Sequence, residues 1–334
     1  MYWYEKNVQG NSLVLSTRVR FARNLEDTPF PAKLGREERE RVFSRVKAAY
    51  EEKGVMAVSY GDVDDLVKQA YVQTHLASME LANQGAGSGL LLSRDGEVSI
   101  MVNEEDHLRL QVIGAGKQVE AVFEKAREWI TFGEEKLVFA RREKLGYLTR
   151  CPTNLGAGMR LSVMIHLPAL VATGSMSRMI QSLNDAGFTV RGLFGEGSRE
   201  GGDLYQISNQ MSREKTPEQI VGDFSRVLEQ VEQREESARK ALIEKDRLFW
   251  EDKVSRAVGL LRYAKKMSYQ ELIGLISCIR FGREAGFDGV AGSECLDRLL
   301  IELMPAPMLL RDRSLAQEEA RDRRRCEIIR EYWK

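Results

Sequence analysis

The chain has 334 residues, 43% of them hydrophobic, which is enough for two domains with buried cores. Its 50 basic and 50 acidic residues cancel, and this balance argues against binding nucleic acid or membranes through overall charge. No apolar run approaches the roughly 18 residues that span a bilayer, and the first residues lack a signal-peptide pattern. Four cysteines without CxxC spacing are typical of a reducing cytoplasm. We therefore expect a globular cytoplasmic protein that binds neither membranes nor nucleic acid directly.

The first 215 residues alternate between helical and extended patterns. In chain order the sequence predicts a helix over 36–53, a hairpin of strands 89–93 and 98–102, a helix over 117–131, strands at 136–141 and 146–150, a helix over 175–186, and strands at 189–194 and 203–208. This mixture is typical of the α+β class.

From Thr216 onward the pattern is helical. Thr216 as N-cap and Pro217 at the first helical position predict one long charged helix that reaches about residue 250. Ser268 opens another helix, which Gly282 or Gly286 closes. We therefore expect an α+β domain over residues 1–250 and an all-helical domain over 251–334.

Arginines recur near the start of the chain, in the segment 16–23. If this segment is extended, Arg18 and Arg20 lie on one face, while Val19 and Phe21 point to the core. Paired guanidinium groups suit phosphate oxygens, because each planar group can donate two hydrogen bonds. A charged strand or loop edge is the alternative interpretation.

Acidic residues follow an apolar run in the segment 103–107. Carboxylates this close would repel one another unless a cation lies nearby. They could therefore provide a general base or orient a guanidinium substrate. The alternative is the acidic first turn of a helix before Leu108 and Leu110.

Glycines mark two further segments. Gly156 and Gly158 would allow a ligand to approach the backbone closely, although a tight turn explains them equally well. Five glycines within 191–202 indicate a mobile lid or, alternatively, a surface loop. The segment 114–118 is no P-loop, because Gln118 replaces the required Ser or Thr.

Together these segments resemble the phosphagen (guanidino) kinase family. The motifs are R-V-R-x-A-R from Arg18, N-E-E-D-H-L-R from Asn103, C-P-T-N-L-G-x-G-x-R from Cys151 and R-G-x-x-G-E-G-S from Arg191, and the similarity spans about residues 12–250. The family implies an antiparallel sheet flanked by helices. Creatine and arginine kinases carry a helical domain before the first motif, whereas this chain has its helical module at the C-terminus. That layout is similar to the bacterial protein-arginine kinases.

The resemblance implies a site for ATP and Mg²⁺, without a dedicated protein metal site. The implied nucleotide-binding residues are Ser16, Thr17, Arg18, Val19, Arg20, His75, Arg109, Arg160, Leu161, Ser162, Val163, Met164, Arg191, Gly192, Leu193, Phe194, Gly195 and Glu196. Glu105 is implied as the carboxylate that aligns the acceptor guanidinium and takes its proton, and Cys151 as the reactive cysteine. The family's second glutamate is missing, since Arg199 stands there, but the neighbouring Glu200 could substitute.

The resemblance also implies regulation by phosphoarginine. The matching motif comprises Arg321, Asp322, Arg325 and Cys326, and Cys326 stands where alanine is expected. The implied partners are proteins with exposed arginines, an activator protein and a Clp-type protease, so that phosphoarginine would mark proteins for degradation or act in a stress response. A homodimer through the leucines of 296–303 remains open, because a core position explains them equally well. Two other functions stay open: a kinase of a small guanidino compound, and a pseudokinase or phosphoarginine-binding adaptor.

Overall fold

A computed structural model describes residues 2–5, 13–192, 201–213 and 215–333. The chain divides into two compact units. The first comprises Met1–Lys6, Ser16–Ser162 and Ser208–Ser225, and the second comprises Asn7–Leu15, Val163–Ile207 and Arg226–Lys334.

The strands form one large antiparallel sheet and one small hairpin. They are β1 (Val14–Arg23), β2 (Met56–Ser59), β3 (Gly89–Leu92), β4 (Val98–Val102), β5 (Leu108–Ala115), β6 (Arg141–Arg142), β7 (Gly146–Tyr147), β8 (Met159–His166), β9 (Phe188–Gly192) and β10 (Leu204–Asn209). The large sheet has the order β2-β3-β4-β5-β1-β8-β10-β9, and β6 pairs with β7. The pairs β2–β3, β3–β4, β4–β5 and β1–β5 are all antiparallel.

Helices alternate with the strands along the first part of the chain, and after β10 the regular elements are helices. They are α1 (Arg36–Ala49), α2 (Asp65–Gln73), α3 (Met79–Ala82), α4 (Val119–Glu134), α5 (Pro168–Ala172), α6 (Met176–Asp185), α7 (Pro217–Lys245), α8 (Arg247–Tyr263), α9 (Tyr269–Ala285), α10 (Cys295–Glu302), α11 (Pro305–Arg311) and α12 (Glu318–Tyr332). The predicted α+β class, with an antiparallel sheet and a helical C-terminal region, is therefore confirmed. No helix within the described ranges is long and apolar enough to cross a membrane.

The alternation predicted for the first arginine segment is confirmed in β1. Val19 and Phe21 are 0% and 2% exposed, so they belong to the core. Arg18 and Arg20 point to the opposite face of the same strand, because successive side chains of a strand alternate. The sheet thus presents these two guanidinium groups together.

The predicted strand over 136–141 is largely wrong. Only Arg141 belongs to a strand, and Phe139 forms an isolated bridge with Leu25. The reason is local: the Ala140 N–H donates to the Asn24 carbonyl at 2.7 Å, and Glu26 N–H donates to Val138 O at 3.1 Å. These hydrogen bonds go to the segment after β1 and leave no continuous ladder.

The predicted helix from Pro217 to about residue 250 is interrupted. Asp246 has φ −158° and ψ 80°, which is incompatible with a helix, so α7 ends at Lys245. The Asp246 side chain then caps α8 by accepting a hydrogen bond from Phe249 N at 3.0 Å. Gly286, with φ 69°, ends α9, which selects the second of the two predicted stops.

The leucines considered for a dimer surface are core residues of the second unit. Leu296, Leu299, Leu300 and Leu303 are at most 3% exposed and belong to one hydrophobic cluster with Trp250. They are therefore not available for contact with a second copy of the chain.

Candidate active site

Four arginines of the first unit project from one face of the sheet. Arg18 and Arg20 come from β1 and Arg160 from β8. Arg109 comes from β5, where it stands opposite Ala22 of β1. Because residues two apart on a strand share a face, this register places Arg109 on the same side as Arg18 and Arg20.

The electrostatics of this face favour an anionic ligand. Burial lowers the pKa of Arg18 to about 10, and the charges of Arg160 and Arg109 contribute. The pKa of Arg20 is also lowered, first by burial and then by Arg18 and Arg109. The buried Nε of Arg20 has no hydrogen-bond partner among the described residues. Phosphate oxygens would supply both the missing acceptor and the missing negative charge.

Hydroxyl groups hold two of the four guanidinium groups. Arg18 Nε donates to Ser162 Oγ at 3.4 Å, and an Arg160 Nη donates to Ser208 Oγ at 2.8 Å. Both partners lie on neighbouring strands of the sheet. These two hydroxyl partners carry no charge, so they orient the guanidinium groups without neutralising them.

The acidic segment after β4 forms a turn and not the first turn of a helix. Asn103 has the left-handed φ of 54°, which is strained for a residue with a side chain. Its amide Nδ2 donates to Gly87 O at 2.6 Å and to Arg39 O at 2.9 Å. These bonds anchor the turn where β4 ends, so the following carboxylates have fixed positions.

The two glutamates in this turn differ in burial. Glu104 has a fully buried side chain, and its Oε1 accepts hydrogen bonds from Arg109 and Ser78, each at 2.5 Å. Glu105 is 31% exposed and accepts from the other Nη of Arg109 at 3.1 Å. Burial raises the pKa of Glu105, and the carboxylates of Asp106 and Glu104 add to the increase. Glu105 is therefore the accessible carboxylate, whereas the buried Glu104 holds the guanidinium of Arg109 in position.

Asp106 connects the turn to the segment that carries Cys151. Its Oδ1 accepts from the Arg150 N–H at 2.8 Å and from Asn24 Nδ2 at 2.6 Å. Since Arg150 directly precedes Cys151 and Asp106 directly follows Glu105, this bond fixes the two predicted acceptor residues relative to each other.

His107 is a structural residue. Its Nδ1 accepts from Leu25 N–H at 3.0 Å, so Nε2 carries the proton and donates to Pro29 O at 2.9 Å. Burial lowers its pKa to about 4. The ring is therefore neutral at pH 7 and fixes the turn to the segment after β1.

Both halves of the predicted chemistry meet in one cleft of about 90 Å³. Its lining residues are Arg20, Ala22, Glu105, Arg109, Cys151, Thr153, Asn154, Gly158 and Arg160. Cys151 Sγ lies 3.0 Å from Thr153 Oγ1 and is half-buried. A thiol, a carboxylate and three guanidinium groups thus face one small volume.

The backbone at the two glycines of the cysteine segment is crowded by other residues of the first unit. At Gly156 (φ 100°) a Cβ would lie 2.6 Å from Ser212 O, and at Gly158 (φ 62°) it would lie 2.6 Å from an Arg23 Nη. Their space is therefore taken by the protein's own chain and not reserved for a ligand. The tight-turn alternative is the better description.

Two other residues predicted to contact the nucleotide, His75 and Thr17, lie in the first unit but do not line the described cleft. Burial and the charge of Arg18 lower the pKa of His75 to about 4, so its ring is neutral. The Thr17 hydroxyl donates to Gly116 O at 2.7 Å and accepts from Gln118 N at 3.1 Å. The apparent P-loop ending is thus a turn fastened to β1.

Four further predicted site residues do not line the described cleft. Val163, Met164, Arg191 and Gly192 are assigned to the second unit, where Arg191 is exposed near the end of β9. Leu193, Phe194, Gly195, Glu196, Arg199 and Glu200 lie outside the described residues. Within the described ranges no group of three or more His, Cys, Asp or Glu could hold a metal ion.

The predicted phosphoarginine motif lies on α12 in the second unit. Arg325 is 2% exposed, donates to Leu303 O at 3.0 Å and pairs with Asp322. Cys326 is fully buried in the hydrophobic cluster of this unit. Arg321 donates to Ala316 O at 2.6 Å. In this structure the motif therefore connects α12 to its own unit.

Three contributing residues were not singled out from the sequence. Glu104 lies within the acidic motif, where its burial could not be distinguished from the exposure of Glu105. Ser208 and Asn24 are distant in sequence from Arg160 and Asp106, so only the fold reveals these pairs.

Comparison with known proteins shows which family the chain belongs to. The model of the ATP:guanido phosphotransferase C-terminal catalytic domain matches residues 37–238, and that of the protein-arginine kinase McsB C-terminal domain matches residues 247–334. The chain therefore belongs to the ATP:guanido phosphotransferase family.

Individual relatives place it in the protein-arginine kinase branch. The protein-arginine kinases of Halothermothrix orenii and Symbiobacterium thermophilum are each 38% identical, and each alignment covers 98% of this chain and 95% of the relative. The enzyme of Bacillus pumilus is also 38% identical, over 98% of this chain and 92% of that protein.

Solved structures share the fold at lower identity. The duplicated taurocyamine kinase from Schistosoma mansoni with bound transition state analog components has a TM-score of 0.62 and 21% identity, over 79% of this chain and 40% of that one. Lombricine kinase has a TM-score of 0.61 and 23% identity, over 71% of each chain.

Proposed function

We propose that this chain transfers the γ-phosphoryl group of ATP to arginine side chains of proteins. One observation carries the proposal: the cleft brings Arg20, Arg109 and Arg160 together with Glu105 and Cys151. The first set suits an anionic donor, and the second suits a cationic acceptor. Relatives at 38% identity over nearly the whole chain are named protein-arginine kinases, which supports a protein acceptor.

The arginines hold and neutralise the triphosphate. Phosphoryl transfer depends on positioning and on stabilising negative charge on the moving group. Arg18, Arg20, Arg109 and Arg160 supply fixed positive charge on one face, and the unpartnered Nε of Arg20 can donate to a phosphate oxygen. Mg²⁺ bound together with the nucleotide would neutralise further phosphate charge, and the nucleotide itself would be its main ligand.

Glu105 prepares the acceptor. An arginine side chain has no free lone pair while protonated, so its attacking nitrogen must lose a proton as the N–P bond forms and the bond to the ADP oxygen breaks. The carboxylate of Glu105 already accepts from a guanidinium nitrogen of Arg109 at 3.1 Å. It can therefore align an incoming guanidinium and take its proton. Cys151, in the same cleft, adds a polarisable group beside that guanidinium.

Acceptor-dependent ADP release tests the proposal. Arginine-rich protein should stimulate release, whereas free arginine or creatine should not. Glu105→Gln should reduce the rate by about 100-fold or more, because a general base contributes that much, while nucleotide binding persists. Glu229→Gln on the exposed side of α7 is the matched control and should behave as wild type. Stimulation by free arginine alone would favour a small-molecule kinase, and ATP binding without any transfer would favour a pseudokinase.

The same kinship extends the proposal to the cellular context. In the extended proposal, residues 1–250 form a catalytic domain and residues 251–334 form a regulatory helical domain that binds phosphoarginine. The chain acts in the cytoplasm, and its partners are an activator protein and a Clp-type protease. Phosphoarginine would mark proteins for degradation during stress. Copurification of the tagged chain with a protease subunit, increased after heat stress, tests this extension.

A further inference from the structure

The first unit has a second and larger cavity, of about 560 Å³, on the other face of β1. Phe21 and Arg23 line it, whereas Arg20 and Ala22, which alternate with them along the strand and point the opposite way, line the catalytic cleft. Gly156 and Ala157 form part of its wall, so an occupant would contact the same segment that carries Cys151.

The charged side chains that line this cavity are mainly basic. The six basic ones are Arg23, Arg127, Arg141, Lys144, Arg213 and Lys215, and the two acidic ones are Glu134 and Glu143. This set, here called the basic groove, therefore has an excess of positive charge in a concave surface, where potentials are strongest.

Arg23 forms the floor of the basic groove. Its Nε pairs with Glu134 at 3.1 Å, and one Nη donates to Ala157 O at 3.1 Å. The guanidinium also lies over the Tyr147 ring, 3.4 Å from the centroid. These contacts occupy Arg23, so binding of a ligand depends on the cations at the rim.

The rim cations are accessible. Arg141 and Lys144 are exposed and form no ion pair with any residue in the described ranges. Arg127 pairs with Glu124 and Lys215 pairs with Asp223, in each case through an exposed or half-exposed bridge. Such surface bridges contribute little and can be exchanged for a ligand carboxylate.

We propose that the basic groove binds an acidic peptide segment of a partner protein. Its volume is in the range of specific binding sites. Arginine and lysine at the rim are the natural partners of several carboxylates. An arginine-rich segment of a phosphorylation substrate would be repelled there, so the groove and the catalytic cleft take different ligands. The binding does not depend on the transfer reaction.

Fluorescence anisotropy with a labelled ten-residue oligoglutamate peptide tests this site in the full-length protein. The peptide should bind the wild type, more weakly at higher salt. Arg141→Glu/Lys144→Glu should weaken binding about tenfold or more, since two contacts become repulsive. Both residues are exposed and outside the cleft, so ATP binding should persist and serves as the folding check.

The control variant is Lys33→Glu/Arg178→Glu, which changes the net charge equally at exposed positions away from the groove. It should bind the peptide as the wild type does. Equal weakening by both double variants, or no binding of the peptide to the wild type, would overturn the proposal. Binding of an oligonucleotide or inorganic triphosphate in preference to oligoglutamate, abolished by the groove variant, would overturn it as well.

Discussion

Adjacent residues in one motif can have different physical roles, as Glu104 and Glu105 show. Glu104 is fully buried and holds Arg109 and Ser78, whereas Glu105 is partly exposed in the cleft. A buried, paired carboxylate such as Glu104 contributes to the stability of the fold. A partly exposed carboxylate in the cleft, such as Glu105, can contact a substrate. The sequence predicted a functional carboxylate in this motif, but only the burial separates the two.

Glu104→Ala should destabilise the protein by about 3 kcal/mol, because it leaves the guanidinium of Arg109 largely buried without its nearest partner. Glu105→Ala should change stability by less than about 1 kcal/mol, since that pair is partly solvated. Urea unfolding monitored by tryptophan fluorescence measures both. Equal destabilisation by the two substitutions would contradict the division of roles.

At the scale of helices and strands, the sequence predicted an element correctly where a glycine in the chain ends a helix or forms a turn. Gly286 ends α9 and the apolar runs around Gly96 form the hairpin of β3 and β4, as predicted. The break at Asp246 was missed, because aspartate within a charged helical pattern can equally well face solvent. Its hydrogen bond to Phe249 N makes it a cap.

The C-terminal helix α12 depends on Arg325. The guanidinium donates to Leu303 O and Met267 O and pairs with Asp322, so it connects α12 to two other segments of the second unit. Arg325→Ala should cost about 3 kcal/mol, because two buried carbonyls and a carboxylate lose their donor.

Arg323→Ala on the same helix provides the matched control. Arg323 is exposed and, among the residues that the structure describes, pairs only with Glu319 through a surface bridge, so its removal should cost less than about 0.5 kcal/mol. Thermal unfolding of both variants measures the difference. If Arg325→Ala unfolds at the wild-type temperature, the structural role assigned to Arg325 is wrong.

At the scale of the whole molecule, all three histidines have lowered pKa values; His107 and His166 are fully buried, and His75 is partly buried. The pKa is about 4 for His75 and for His107, and it is also lowered for His166, mainly by burial in each case. A histidine that is neutral in the fold but protonates when unfolded stabilises the protein above about pH 6.5. That stabilisation is lost as the pH falls from 6.5 towards 4.

The urea concentration at the midpoint of unfolding should therefore decrease as the pH is lowered from 7 to 5. Most carboxylates do not titrate in this range. Each histidine contributes on the order of 1 kcal/mol per pH unit in this range. His107→Gln should be less stable at pH 7 and should show a shallower pH dependence. A midpoint that does not change between pH 7 and pH 5 would contradict the neutral state of these rings in the fold.

The fold class and the arginine face could be predicted because alternation along β1 and family motifs are local properties of the sequence. The arrangement of the cleft could not. The bond from Asp106 to Arg150 joins segments 44 residues apart, and the crowding at Gly156 and Gly158 comes from Ser212 and Arg23. Such contacts depend on tertiary packing, which no local pattern encodes.

The central claim is that arginine side chains of proteins receive the phosphoryl group. Incubation with ATP, Mg²⁺ and an arginine-rich protein, followed by phosphosite mass spectrometry under non-acidic conditions, tests it most directly. We expect phosphate on arginine with the wild type and, in the same incubation time, about 100-fold less or lower with Glu105→Gln. Phosphate on serine or lysine instead, or no modified arginine from enzyme that binds ATP, would contradict the account.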